Sequence, residues 1–142
     1  MKAKRIIVVL LVVFALAGLA HGVLSQPGRR YLCETAAGDV ETMTFSAAGR
    51  ELTITDPEEI RAIQERMNGF RVSRYYRGLK TGESIIGIVF TYKNGSTKQI
   101  SLPYFELDGK IYKAVCGGQP AYLPQIFSDE AVYAEDFWVK QP

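Results

Sequence analysis

The sequence predicts an α+β protein: an N-terminal transmembrane or signal helix, then one small domain with an antiparallel sheet of about five or six strands and one main packed helix. Three observations predict it. A basic head, Lys2, Lys4 and Arg5, precedes an unbroken apolar run. A capped amphipathic segment fills residues 56–68. Short β-type runs, punctuated by Gly-containing turns, occupy much of the remainder.

The leader comes first. Ile6 to Leu24 is 19 residues long with His21 as its only polar side chain. A helix of that length rises about 28 Å, close to the thickness of a bilayer core. The run has no polar face, so a buried helix of a soluble domain is not expected. Two readings stay open. Length favours an uncleaved anchor through residues 6–24, with the N-terminus in the cytoplasm and the domain outside. Small residues at Ala15-Leu16-Ala17 or Gly18-Leu19-Ala20 allow a cleaved signal peptide and a secreted domain. A lipid-modified cysteine is not expected, because Cys33 follows Arg30-Tyr31-Leu32 rather than small residues.

The chain then divides into a leader over 1–25, a linker and first strand over 26–38, and an extracytoplasmic domain over 39–142. Ser25 to Arg30, with Pro27 and Gly28, reads as the linker. Val40–Phe45 and Glu51–Thr55 form a hairpin across Ser46-Ala47-Ala48-Gly49. Asp56-Pro57-Glu58-Glu59 reads as an N-cap, a Pro at the first helical position and a Glu reaching back to the cap. Ile60, Ile63 and Met67 share one face, and Asn68-Gly69 supplies a left-handed stop. Phe70–Tyr76 enters a third strand and Gly78–Gly82 turns.

Ile85–Tyr92 is the most apolar stretch of the domain and belongs at the centre of the sheet. Its register with the next strand can be argued. A two-residue turn at Asn94-Gly95 would set Ile88 opposite Ser101 and throw the two apolar faces apart. A three-residue loop, Lys93-Asn94-Gly95, sets Ile88 opposite Ile100 and Ile86 opposite Leu102, so the longer loop is expected. Asp108-Gly109 turns between Tyr104–Leu107 and Lys110–Val115. Cys116 to Pro120 breaks the sheet, Leu123–Val132 is a short second helix, and Phe137-Trp138-Val139 is an apolar cluster without an assigned place.

Chemistry is sparse. The leader carries three basic residues, and residues 26–142 hold 14 Lys and Arg against 15 Asp and Glu, so the basic balance reflects topology and gives no sign of nucleic acid. The only histidine is His21, which leaves the exported domain without imidazole for a catalytic triad or for zinc. No phosphate loop, nucleophile elbow or calcium-loop spacing occurs, and no cofactor or metal is expected. Glu58 and Glu59 are accounted for by capping, and Asp129, Glu130, Glu135 and Asp136 by a solvated acidic tail. Cys33 and Cys116 lie outside the membrane, where thiols often pair. A bridge between them would close a loop of about 83 residues. The one concentrated positive run is Arg71, Arg74, Tyr75, Tyr76, Arg77 and Lys80. It is suited to an anionic envelope polymer or phospholipid head groups, or else it protects a strand edge.

Leu52-Thr53-Ile54-Thr55-Asp56-Pro57-Glu58-Glu59-Ile60 and Ile88-Val89-Phe90-Thr91-Tyr92-Lys93-Asn94-Gly95 resemble segments of small exported α+β domains of unknown function from Gram-positive bacteria. The resemblance spans roughly residues 40–115. It implies the α+β fold and no catalytic residues. The leading functional expectation is a non-catalytic accessory or binding domain outside the membrane, whose partner is an envelope polymer or a neighbouring membrane protein. The alternatives are a small envelope hydrolase using Asp and Glu, and a secreted protein inhibitor.

Overall fold

The longest element is α1, Lys2–Ala36, in a computed structural model that describes residues 2–78, 85–122 and 126–127. The linker and first strand expected over residues 26–38 are instead the last turns of this helix and a short exit. Pro27 lies inside it. Proline removes one backbone donor and costs about 3 kcal/mol in a helix interior. Tertiary burial offsets that cost. Gly28, Leu32, Thr35 and Ala36 fall at helical spacing and are all buried, whereas residues 4–24 are exposed on every side. The exposed stretch is long and apolar enough to cross a membrane or to act as a signal sequence.

Among the described residues eight strands follow, with α2 between the second and third. β1 (Val40–Ala47) and β2 (Arg50–Ile54) form the expected hairpin, although only Ala48 and Gly49 make the turn. Both residues have positive φ, as a two-residue hairpin matched to strand twist requires. In α2 (Pro57–Asn68) the Asp56 carboxylate accepts the Glu58 N–H at 3.2 Å, and Ile60, Ile63 and Met67 are buried. The expected left-handed stop does not form: Gly69 has φ −81°, ψ −7°. Short bonds close the helix instead, from Gly69 N–H to Arg66 O and from Phe70 N–H to Met67 O. They satisfy the last carbonyls while directing Phe70 into the core.

The remaining strands are β3 (Arg71–Arg74), β4 (Ile86–Tyr92), β5 (Thr97–Leu102), β6 (Tyr104–Leu107), β7 (Lys110–Cys116) and β8 (Gln119–Pro120). The fold is α+β, every pairing among the described residues is antiparallel, and the strands divide between two sheets. One has the order β2-β1-β4-β5, and the other has the order β3-β7-β6 with β8 beside β7. β4 is interior, as its composition predicts. Its register with β5 is the matched one, Ile88 opposite Ile100 and Ile86 opposite Leu102. Gly95, at φ +80°, donates to Tyr92 O at 2.8 Å and forms the bulge that this register needs.

The change of sheet occurs at Pro103. Proline cannot donate to a ladder, and its carbonyl already accepts from Ala114 N–H at 2.7 Å, on the second sheet. The sheet break expected at Cys116–Pro120 is also corrected. Gly117 and Gly118, both at positive φ, reverse the chain so that Val115 pairs with Pro120. One contiguous core joins both sheets, α2 and the end of α1. Cys33 and Cys116 are half-buried free thiols, so the expected bridge does not form here. Cys33 lies about 100° around α1 from buried Leu32, while Cys116 packs against the core from the end of β7. Of the segment 123–132 only Ile126 and Phe127 are described. They are helical and buried, with the Phe127 ring 4.9 Å from that of Phe45. Phe137, Trp138 and Val139 lie outside the described residues.

Candidate functional site

Among the described residues β3 is an edge strand, paired only with β7. Val72 is buried and opposite Ala114, and Arg74 is opposite Tyr112. Alternation therefore splits the predicted Arg–Tyr cluster between two faces. Val72 and Arg74 point to the covered side of the sheet, and Arg71 points to the other side and is exposed. At the strand's end Arg74 is half-buried, and its guanidinium carbon lies 5.0 Å from the centre of the Tyr76 ring. Tyr76 is 65 % exposed, so this cation–π pair forms at the surface. Arg77 is exposed as well. Lys80 lies outside the described residues.

Tyr75 extends the ladder by donating its N–H to Ile111 O at 2.8 Å. Its ring sits 4.8 Å from that of Tyr104, and the Lys113 ammonium lies 5.8 Å from the Tyr104 ring. Tyr104 and Lys113 thus join Tyr75 on the outer face, and neither was singled out in the sequence. One of the two pairings behind that trio was legible. The turn at Asp108-Gly109 fixes Tyr104 opposite Lys113. The pairing of β3 with β7 is non-local and left no mark in the chain.

An open groove of about 400 Å³ lies beside these strands, lined by Tyr31, Ile85, Gln99, Tyr104, Glu106 and neighbours. Glu106 is the one carboxylate among the described lining residues. A two-carboxylate glycosidase needs a facing pair about 5–10 Å apart, which this lining does not supply. No three His, Cys, Asp or Glu residues gather in a metal-holding group among the described residues. Among the described residues two titrating groups are perturbed. Arg30 is raised by its 2.7 Å bond to Glu34 and by that carboxylate's charge, on a fully exposed helix face. Tyr92 is raised, first by burial and then by Tyr31, and its hydroxyl donates to Thr35 O at 2.8 Å. Both are structural contacts of α1. Comparison of the chain with protein-family models, with characterised proteins and with solved structures finds no match.

Proposed function

We propose that this chain is a membrane-anchored accessory domain displayed outside the cytoplasmic membrane, which binds a partner and catalyses no reaction. The observation that supports the reading is the continuity of α1. The same helix that presents an exposed apolar stretch over residues 6–24 ends inside the domain core at Leu32 and Ala36. A helix built this way carries its domain as a rigid extension of a membrane span, with no flexible tether between them. Cleavage near Ala17 or Ala20 would leave the packed turns intact, so a released domain is structurally self-consistent, and the mature N-terminus separates the two fates.

The test uses the full chain in cells. Protease added to intact spheroplasts should digest the domain, and the protein should stay in the membrane fraction with residues 1–5 still attached. Protection until lysis overturns the topology. A soluble product beginning near Gly18 or His21 would replace the anchored form with a secreted one. Hydrolysis of purified envelope polymer by the purified protein would overturn the non-catalytic assignment.

A further inference from the structure

The domain meets the membrane with a particular end, and that end is basic and aromatic. A Cβ on Gly28 would overlap the ring of Tyr112, so α1 and β7 touch directly at this level. Gly28 stands eight residues before Ala36, the last buried residue of the helix, and four residues after Leu24, the last of the apolar run. It therefore lies about 6 Å along the helix from the edge of that run.

The strands run past this level towards the apolar run: α2, which leads into β3, donates from Gln64 to Gly38 O beyond the end of α1, whereas Tyr112, opposite the end of β3, meets Gly28. β3 starts from Phe70, in the core, and reaches Arg74 opposite Tyr112. Beyond it come Tyr75, Tyr76 and Arg77, and on β7 the chain begins two residues earlier at Lys110. The two extended residues from Tyr112 back to Lys110 span about 7 Å. That covers the distance from Gly28 to Leu24. Tyr76, Arg77 and Lys110 are exposed, and Arg74 is held against the Tyr76 ring. Arg29 is exposed on the helix at the same level. Asp108, at the β6–β7 turn, is the acidic neighbour, and Glu106 lies one step further back on β6.

The geometry points to a lipid-docking rim: Arg74, Tyr76, Arg77 and Lys110 rest on the membrane surface and bind the phosphate-bearing head groups of anionic lipids. This rests on the membrane-anchored reading above. Basic side chains within a Debye length of a negative surface are attracted to it, and tyrosine favours the membrane interface. Because α1 is continuous, the rim is delivered to the head groups in one orientation and does not search for them.

The test reconstitutes the full-length protein into phosphatidylcholine vesicles and into vesicles that also contain phosphatidylglycerol. Spin-labelled lipids of both kinds then report which one lies against the protein. In low salt the parent should hold labelled phosphatidylglycerol severalfold more strongly than phosphatidylcholine, and added salt should erase the preference. The exposed double variant R77Q/K110Q should lower the ratio towards one. K93Q should leave it unchanged, because Lys93 N–H bonds to Asp39 O at the opposite end of the helix exit. Inserted parent protein without a preference overturns the docking rim alone. So does a K93Q loss equal to that of R77Q/K110Q, since overall charge would then explain it. Failure to insert into either vesicle overturns the anchor and the rim together.

Discussion

Two stretches of one helix meet opposite surroundings. From Ile6 to Leu24, α1 is exposed at every position, with Phe14 at 73 % and Leu19 at 68 %. From Gly28 to Ala36 it has a single buried stripe, and Leu32, Thr35 and Ala36 are fully buried. The first stretch is apolar all round, which suits a lipid solvent. The second alternates Arg29, Arg30 and Glu34 with its buried positions, which suits a water-facing helix laid on a sheet. The difference shows that a secondary-structure element can continue across a boundary at which its environment changes. Pro27 sits close to that boundary without ending the helix.

Substitution by charge is the strongest way to break this comparison. Leu32→Asp places an unpaired carboxylate in the core and should unfold the domain, a loss of at least ~2–5 kcal/mol. Leu11→Asp should leave the domain's melting in detergent unchanged and impair membrane insertion, at about 3 kcal/mol near a helix centre. Circular dichroism melts of both variants check this. A Leu32→Asp protein that melts like the parent would mean that the end of α1 does not belong to the domain.

Volume tests the same contrast with a smaller expected effect. Gly28→Val should destabilise the domain by about 1–3 kcal/mol, because its side chain must displace Tyr112. Gly18→Val should have no effect on domain stability, since nothing lies within 4 Å of a Cβ at Gly18. Equal denaturant midpoints for the two variants would show that α1 does not approach β7 closely.

Polarity sharpens the comparison within the buried stretch. The Thr35 hydroxyl is fully buried and makes no hydrogen bond among the described residues. Thr35→Val keeps its shape and removes an unsatisfied group, so it should stabilise the domain by about 1 kcal/mol. A loss of stability would reveal a partner for that hydroxyl.

The smallest effect concerns Tyr92, which ties the end of β4 to the Thr35 carbonyl. Tyr92→Phe should cost about 1 kcal/mol at neutral pH. Its pH dependence has a definite sign. The folded protein raises the Tyr92 hydroxyl, chiefly through burial. Above a tyrosine's ordinary pKa of about 10 the unfolded chain releases this proton while the folded one keeps it. The stabilisation is complete below that pH and is lost as pH rises through the folded value. Denaturant melts between neutral pH and the alkaline range should therefore show a shallower decline for Tyr92→Phe than for the parent.

Local chemistry was legible wherever residues near in sequence decide the structure. Asp56 caps α2, Ile60, Ile63 and Met67 face inward, and matched apolar faces select the three-residue loop at Gly95 over the two-residue turn. The stop at Gly69 was misread because a left-handed glycine and a short-bonded turn look alike in sequence. Burial of Phe70 decided between them. The Arg–Tyr run was legible as composition only, since alternation along β3 and the cation–π contact distribute it in space.

By itself the sequence determined the apolar leader, the cap and buried face of α2, the register of β4 with β5, and the α+β class. Each follows from the period of a helix or strand, or from the turn residues between neighbours. Tertiary structure alone decided that α1 continues through Pro27, that the strands form two sheets, and that β3 lies beside β7. The physical reason is common to all three. Contacts between distant segments, such as Gly28 with Tyr112 and Pro103 with Ala114, outweigh the local preference of a proline to end a helix and of consecutive strands to share one sheet.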